Sequence, residues 1–172
     1  MAVEEQLLGG YVISFRGGVG WWRIGQTLII TDRTIFKLAF KTYKIGSPPA
    51  ATITFTIRRQ AAEQPIMVSK VWGTADTVPT DPTWIEVTFD TPLYVNERVF
   101  ILMEWSGDIG DGDNCLAFHA NTTSVKPDEN VIRYYDSWTQ SAAWDATYIY
   151  TYDLPTGMKG LGPGAMAQVL GV

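Results

Sequence analysis

Three sets of residues in this sequence are of types that do chemistry. The first is Cys115 and His119, the only cysteine and the only histidine. A thiol and an imidazole work as nucleophile and base only within hydrogen-bond reach. On a strand, residues four apart share a face but stand about 13 Å apart, which disfavours a cysteine or serine hydrolase. Cys115 is then expected to be a small buried hydrophobe and His119 a partly buried strand residue. The second set is Glu86 and Glu104, each lying among aromatic and β-branched residues. Paired carboxylates cleave a glycosidic bond when they stand roughly 5 to 9 Å apart and one has a raised pKa. Neither condition is legible here, and solvated or edge-facing glutamates are the expectation. The third set is Asp108, Asp111, Asp113 and Asn114 in the stretch SGDIGDGDN. Hard oxygen ligands in a Gly-rich loop are what Ca²⁺ selects, although the spacing lacks the alternation and distal Glu of an EF-hand. Calcium is the one cofactor the sequence admits, beside the plainer reading of a solvated hairpin loop. No catalytic residue is assigned, and the chain is expected not to be an enzyme.

Aromatic side chains offer a different chemistry, that of contact. Trp72, Trp84, Trp105, Trp138, Trp144 and the tyrosines Tyr134, Tyr135, Tyr148, Tyr150 and Tyr152 exceed what one core of this size hides, since each ring brings roughly 150 to 250 Å². Surplus rings serve as sugar-stacking platforms or as interface anchors. Tyr148, Tyr150 and Tyr152 alternate along one segment and so line one face of a strand. A partner for that stripe is sought first in another subunit, then in the chain's own N-terminal arm, then in a glycan. Trp138 and Trp144 complete the set of interface or glycan-stacking candidates.

These residues need elements to hold them, and the sequence supplies strands. The stretch 34–59, TIFKLAFKTYKIGSPPAATITFTIRR, holds two alternating runs. In one, Phe36, Leu38 and Phe40 oppose Lys37, Lys41 and Tyr43. In the other, Ile53, Phe55 and Ile57 oppose Thr52, Thr54, Thr56 and Arg58. Such a period of two marks a half-buried strand. Gly46-Ser47-Pro48-Pro49 between them cannot continue a ladder, because proline lacks the amide donor and glycine permits positive φ. Further strands are predicted at 11–15, 21–30 with Gly25 marking a bulge or close backbone approach, 66–75, 84–89, 98–105, 114–120, 131–136 and 146–152. Thr31-Asp32-Arg33 is predicted as a turn, Thr91-Pro92 as a strand end and 138–144 as a turn region. The run Arg98–Trp105, apolar on both faces, is expected to be a central strand covered on both sides. Eight to ten short strands without a long amphipathic helix predict an all-β, antiparallel β-sandwich or jelly roll with flexible terminal arms. The predicted divisions are an N-terminal arm with a possible first strand (1–20), the sandwich domain (21–154) and a Gly/Pro-rich C-terminal arm (155–172).

Length and composition agree with this. A chain of 172 residues suits one domain that buries about two-thirds of its unfolded surface. The net charge of −5 offers no basic patch for nucleic acid or an anionic membrane. A lone cysteine leaves no internal disulfide and no cysteine-cluster zinc site. The start MAVEEQLLGG carries glutamates where a signal peptide carries basic residues, so synthesis in the cytoplasm without export is expected.

From about Trp22 to Tyr152 the order of pieces resembles a jelly-roll module of the galactose-binding-like type found in many phage and archaeal-virus structural proteins and in some extracellular proteins. The resemblance is carried by Ile24-Gly25-Gln26-Thr27-Leu28, Ile35–Tyr43, Gly46-Ser47-Pro48-Pro49 before Thr52–Arg58, Thr83–Phe89 and Glu97–Leu102. It implies a fold and no catalytic residue. It also implies a virion component, a capsid decoration, minor capsid or tail protein, whose partners are copies of itself and other virion proteins. A carbohydrate-binding module that uses surface Trp and Tyr is the alternative expectation.

Overall fold

In a computed structural model the chain is described at residues 1–15, 23–61, 63–106, 112–123, 125, 126, 128–135 and 137–155. Among the described residues there are eleven strands: β1 (Ala2–Gln6), β2 (Tyr11–Phe15), β3 (Arg23–Ile45), β4 (Thr52–Arg59), β5 (Ile66–Thr74), β6 (Thr83–Ser106), β7 (Cys115–Asn121), β8 (Val131–Tyr135), β9 (Ser137–Ser141), β10 (Asp145–Ala146) and β11 (Tyr148–Asp153). All pairings are antiparallel, and a short 3₁₀ turn at Ala75–Thr77 is the one helical element among the described residues. The fold is the expected all-β sandwich.

Two long strands build both layers. The first half of β3 pairs with the second half of β6, Arg23↔Glu104 to Ile30↔Glu97, and the second half of β3 pairs with the first half of β6, Lys37↔Thr88 to Thr42↔Thr83. In one layer β9 and β8 flank β3, while β4 and β5 flank β6. In the other, β11 and then β1 flank β3, whose far end also pairs with β7. Phe40 of the second layer meets Phe55 of the first at 5.5 Å between ring centroids and Phe118 of β7 at 5.2 Å. The core therefore sits between the layers, where Ile53, Phe55 and Ile57 are fully buried, as their alternation predicts.

Bends inside β3 and β6 replace the breaks read from the sequence. Asp32 takes φ +50°, a conformation Asp tolerates better than most residues. Its Oδ1 accepts the Tyr94 hydroxyl at 2.5 Å and its amide donates to Asn96 Oδ1 at 3.3 Å. Thr31-Asp32-Arg33 is thus a bulge within one strand, not a turn. Pro92 likewise does not end a strand. It lies where pairing skips from Leu93↔Ile35 to Thr88↔Lys37, so its missing amide costs no ladder bond. That shift also moves the inward set of β3: Ile35, Leu38 and Phe40 are buried, whereas Phe36 is only half-buried.

Two glycines are dictated by space. A Cβ on Gly25 would lie 1.9 Å from the Ile101 carbonyl oxygen, and one on Gly46 would lie 2.1 Å from the Asp113 carbonyl at a φ of +62°. The close approach and positive φ expected of these residues are both present.

The termini differ from expectation at one end. Residues 2–6 form a strand on β11, Ala2↔Tyr152 to Gln6↔Tyr148, where the sequence reads as the start of an N-terminal arm. Gln6 is buried and Ile13 of β2 belongs to the core. Ser137–Ser141, overlapping the segment 138–144 that reads as a turn region, forms β9 on β8. The C-terminal arm from residue 156 onward lies outside the described residues.

Candidate functional site

Cross-strand register lines up one row of side chains on the outer face of the first layer. Trp138 opposes Tyr134, Tyr134 opposes Arg23, Arg23 opposes Glu104, and Glu104 opposes Thr54. These residues come from β9, β8, β3, β6 and β4, so only the folded sheet assembles them. Tyr134 and Trp138 rings meet at 5.0 Å, and Trp138 stacks on Phe100 at 5.3 Å. Through that contact Trp138 packs on the buried cluster of Phe100, Leu102 and Ile132. The central run is covered on its outer side as well as its inner one, as its composition predicts.

Next in the row, Arg23 lies over the Tyr134 ring at 4.7 Å and donates from Nε to Glu104 Oε2 at 3.0 Å. Glu104 is held from several directions at once. Arg58 donates Nε to Oε1 at 2.7 Å and Nη2 to Oε2 at 3.0 Å, and the Thr56 hydroxyl also donates to Oε1. Burial pushes the Glu104 carboxyl up, but the bonds from Arg58 and Thr56 and the charges of Arg58 and Arg23 outweigh it and hold it below the usual carboxylate range. Beside this pair opens a recess of about 520 Å³ lined by Arg23, Thr54, Thr56, Ile66, Ser69, Glu104, Trp105 and Ser106.

Glu86, weighed with Glu104 for acid-base work, stands on the other half of β6, where Lys37 donates to it at 2.8 Å. The two carboxylates are committed to separate cations and are not brought together. Cys115 is buried at the start of β7, and His119 is half-buried four residues further along the same strand. Burial and the Lys41 charge hold the imidazole below its usual range.

The tyrosine stripe exists, but it points inward. Tyr148 and Tyr150 stack at 6.2 Å and Tyr150 meets Tyr152 at 5.6 Å. Tyr148 and Tyr150 are buried, on the strand that pairs with the first strand of the same chain, Gln6↔Tyr148 and Glu4↔Tyr150. Their hydroxyls reach cations: Lys126 Nζ donates to Tyr148 at 3.3 Å and Arg33 donates to Tyr150. Buried phenols need such partners, and burial drives both phenol pKa values up. Tyr152, half-buried, lies under Arg33 at 4.3 Å. Glu4 of β1 bridges Arg33 and Lys126, so the stripe's partner is an ionic seam built by the chain's own N-terminal strand. Burial raises the Glu4 carboxyl, yet the bonds and charges of Lys126 and Arg33 leave it lowered.

Trp144 belongs elsewhere. It packs against Tyr11 at 4.8 Å and under Arg133 at 5.5 Å, next to the main core and not the Trp138 cluster. The two tryptophans do not form one platform. Asp108 and Asp111 lie outside the described residues. Asn114 Oδ1 accepts the Ser47 amide at 2.9 Å, which ties the loop to the Gly46 turn, and Asp113 is exposed there. Among the described residues no three acidic, His or Cys side chains gather as a metal site, and no helix is long and apolar enough to cross a membrane.

Sequence reasoning missed Arg23 and Tyr134 as neighbours of Glu104 and missed Glu4, Arg33 and Lys126 as one group. The alternation AVEEQ was the available sign that residues 2–6 are a strand.

No family model matches the chain, and no curated protein matches its sequence. Among solved structures it is similar to a chain of infectious bursal disease virus, Gt strain, at 15% identity and a TM-score of 0.30. That likeness covers 99% of this chain, which spans about half, 50%, of the viral chain.

Proposed function

We propose that the chain is a non-enzymatic structural component of a virion, a sandwich of the jelly-roll type that docks onto copies of itself and onto neighbouring coat or tail proteins. One observation carries the docking part. Both ends of the strand order β1-β11-β3-β6-β4-β5 are open among the described residues, and both carry exposed apolar side chains. Val3 on β1 is 55% exposed, and Ile66 and Val71 on β5 are 52% and 58% exposed. An open edge presents unpaired amides and carbonyls that template a further strand, and proteins that stay single usually blunt such edges with proline or several charges. Proline is missing from both strands; β1 carries Glu4, tied to Arg33 and Lys126, and the exposed Glu5, whereas β5 has a single charge, Lys70, paired with Asp90 at 2.6 Å, and is the less protected edge. The virion part rests on the resemblance carried by Ile24–Leu28, Ile35–Tyr43, Gly46–Pro49 before Thr52–Arg58, Thr83–Phe89 and Glu97–Leu102.

Replacing Val3 and Val71 with lysine tests the docking part, because both side chains are exposed and the sandwich keeps its core. The doubly substituted chain is expected to melt like the wild type and to be absent from purified particles that carry the wild-type chain. Equal incorporation of both chains would refute the edge-docking reading.

A further inference from the structure

The recess beside Arg23 has a chemistry that docking through sheet edges does not use. Its guanidinium is fixed on two sides, by the Tyr134 ring at 4.7 Å and by Glu104 at 3.0 Å from Nε. Nη1 and Nη2 have no hydrogen-bond partner among the described residues, and Arg23 lines the recess. A planar fork held by its base and open at its tip is the geometry that grips a carboxylate through two parallel bonds. Charge points the same way, since two guanidiniums, Arg23 and Arg58, share the single carboxylate Glu104. One positive charge is left over.

Around the fork the walls combine hydroxyls with apolar surface. Thr54, Thr56, Ser69 and Ser106 line the recess beside two apolar sides, Ile66 and Trp105. Hydroxyls both donate and accept, which suits a ligand that is itself polyhydroxylated. The volume of about 520 Å³ falls within the roughly 300 to 1,000 Å³ of small-molecule sites. We infer that this recess binds a carboxylated sugar, a unit of the uronic-acid kind, with its carboxylate on the Arg23 fork and its ring hydroxyls against Thr54, Ser69 and Ser106. A neutral sugar leaves the surplus charge unmatched. A bare carboxylate leaves the hydroxyl walls unused.

Calorimetric titration of the full chain with D-glucuronate, D-glucose, acetate and N-acetyl-aspartate amide tests this independently of the docking role. Glucuronate is expected to bind roughly tenfold or more tighter than each of the other three, the scale of one charge-assisted hydrogen bond. Arg23→Gln should remove that preference. Because Arg23 also pairs with Glu104, a second variant, Ser69→Ala, leaves the ion pairs alone and should weaken glucuronate while leaving acetate unchanged. No glucuronate binding, binding equal to acetate, or binding indifferent to both substitutions overturns the inference. Aspartate amide binding as well as glucuronate would assign the fork to a peptide and overturn the sugar reading.

Discussion

Substituting Glu4 with glutamine probes how the chain secures its own first strand. The carboxylate joins Arg33 of β3 to Lys126 of the loop before β8, and its side chain is only 23% exposed. Glutamine keeps the shape and one acceptor but removes the charge that both cations face. Hydrogen bonds to charged groups contribute about 1.5 to 3 kcal/mol each. One acceptor survives and Lys126 stays partly solvated, so a loss of about 2 kcal/mol is expected. For a domain of this size that lowers the melting temperature by about 4 to 8 °C. Calorimetry at pH 7 reads the global loss, and hydrogen exchange at Val3 and Glu5 reads local release of β1 from β11. The pH dependence has a definite sign. Because the folded carboxyl is lowered, its stabilisation is present above the unfolded value of about 4.3 and is lost as pH falls through the folded value. The gap between wild type and variant should therefore narrow in acid. Unchanged melting together with unchanged exchange at β1 would refute the seam as the anchor of that strand.

Other substitutions read other parts of the structure. Glu129 sits close to the same seam, and its carboxyl is raised by burial before the Lys126 charge acts against it. Stability tied to its protonated form is full below the unfolded pKa and lost as pH rises through the folded one. Glu129→Gln should thus raise the melting temperature at pH 8 and leave it unchanged at pH 4; equal effects at both would refute the assignment. Gly46→Ala forces a side chain into a positive φ against the Asp113 carbonyl and should cost at least about 1 to 3 kcal/mol, measured by denaturant unfolding. Trp138→Ala uncovers Phe100, Leu102 and Ile132. Since Trp138 is half-buried, the loss should fall at or below the roughly 3 kcal/mol lower bound for fully buried rings, accompanied by binding of a hydrophobic dye.

How much of this was legible in the sequence depends on range. Ile53, Phe55 and Ile57 against their threonines, and Ile85, Val87 and Phe89 against Trp84, Glu86 and Thr88, set strands and faces correctly. Local alternation suffices for that, because each strand reads its own pleat. It does not report the register shift that buries Ile35 and leaves Phe36 half-buried, since that shift is settled by how β6 bends at Pro92. Period two placed Tyr148, Tyr150 and Tyr152 on one face but could not say which face turns inward. A tyrosine is at home in either environment, and the answer lay with Glu4, Arg33 and Lys126, far away in the chain. The Arg23–Glu104 pair and the Tyr134 ring beneath it depend on pairing across β8, β3 and β6, which no local pattern encodes. Trp138 stood out as an aromatic, while its role as the lid over Phe100 did not.

Sedimentation equilibrium of the 172-residue chain over a wide concentration range, beside the chain carrying Val3→Lys and Val71→Lys, decides whether the open edges join copies of the chain. The wild type is expected to rise to a multiple of the single-chain mass and the double variant to stay at one. A wild type that holds the single-chain mass at every concentration, indistinguishable from the variant, would contradict edge docking.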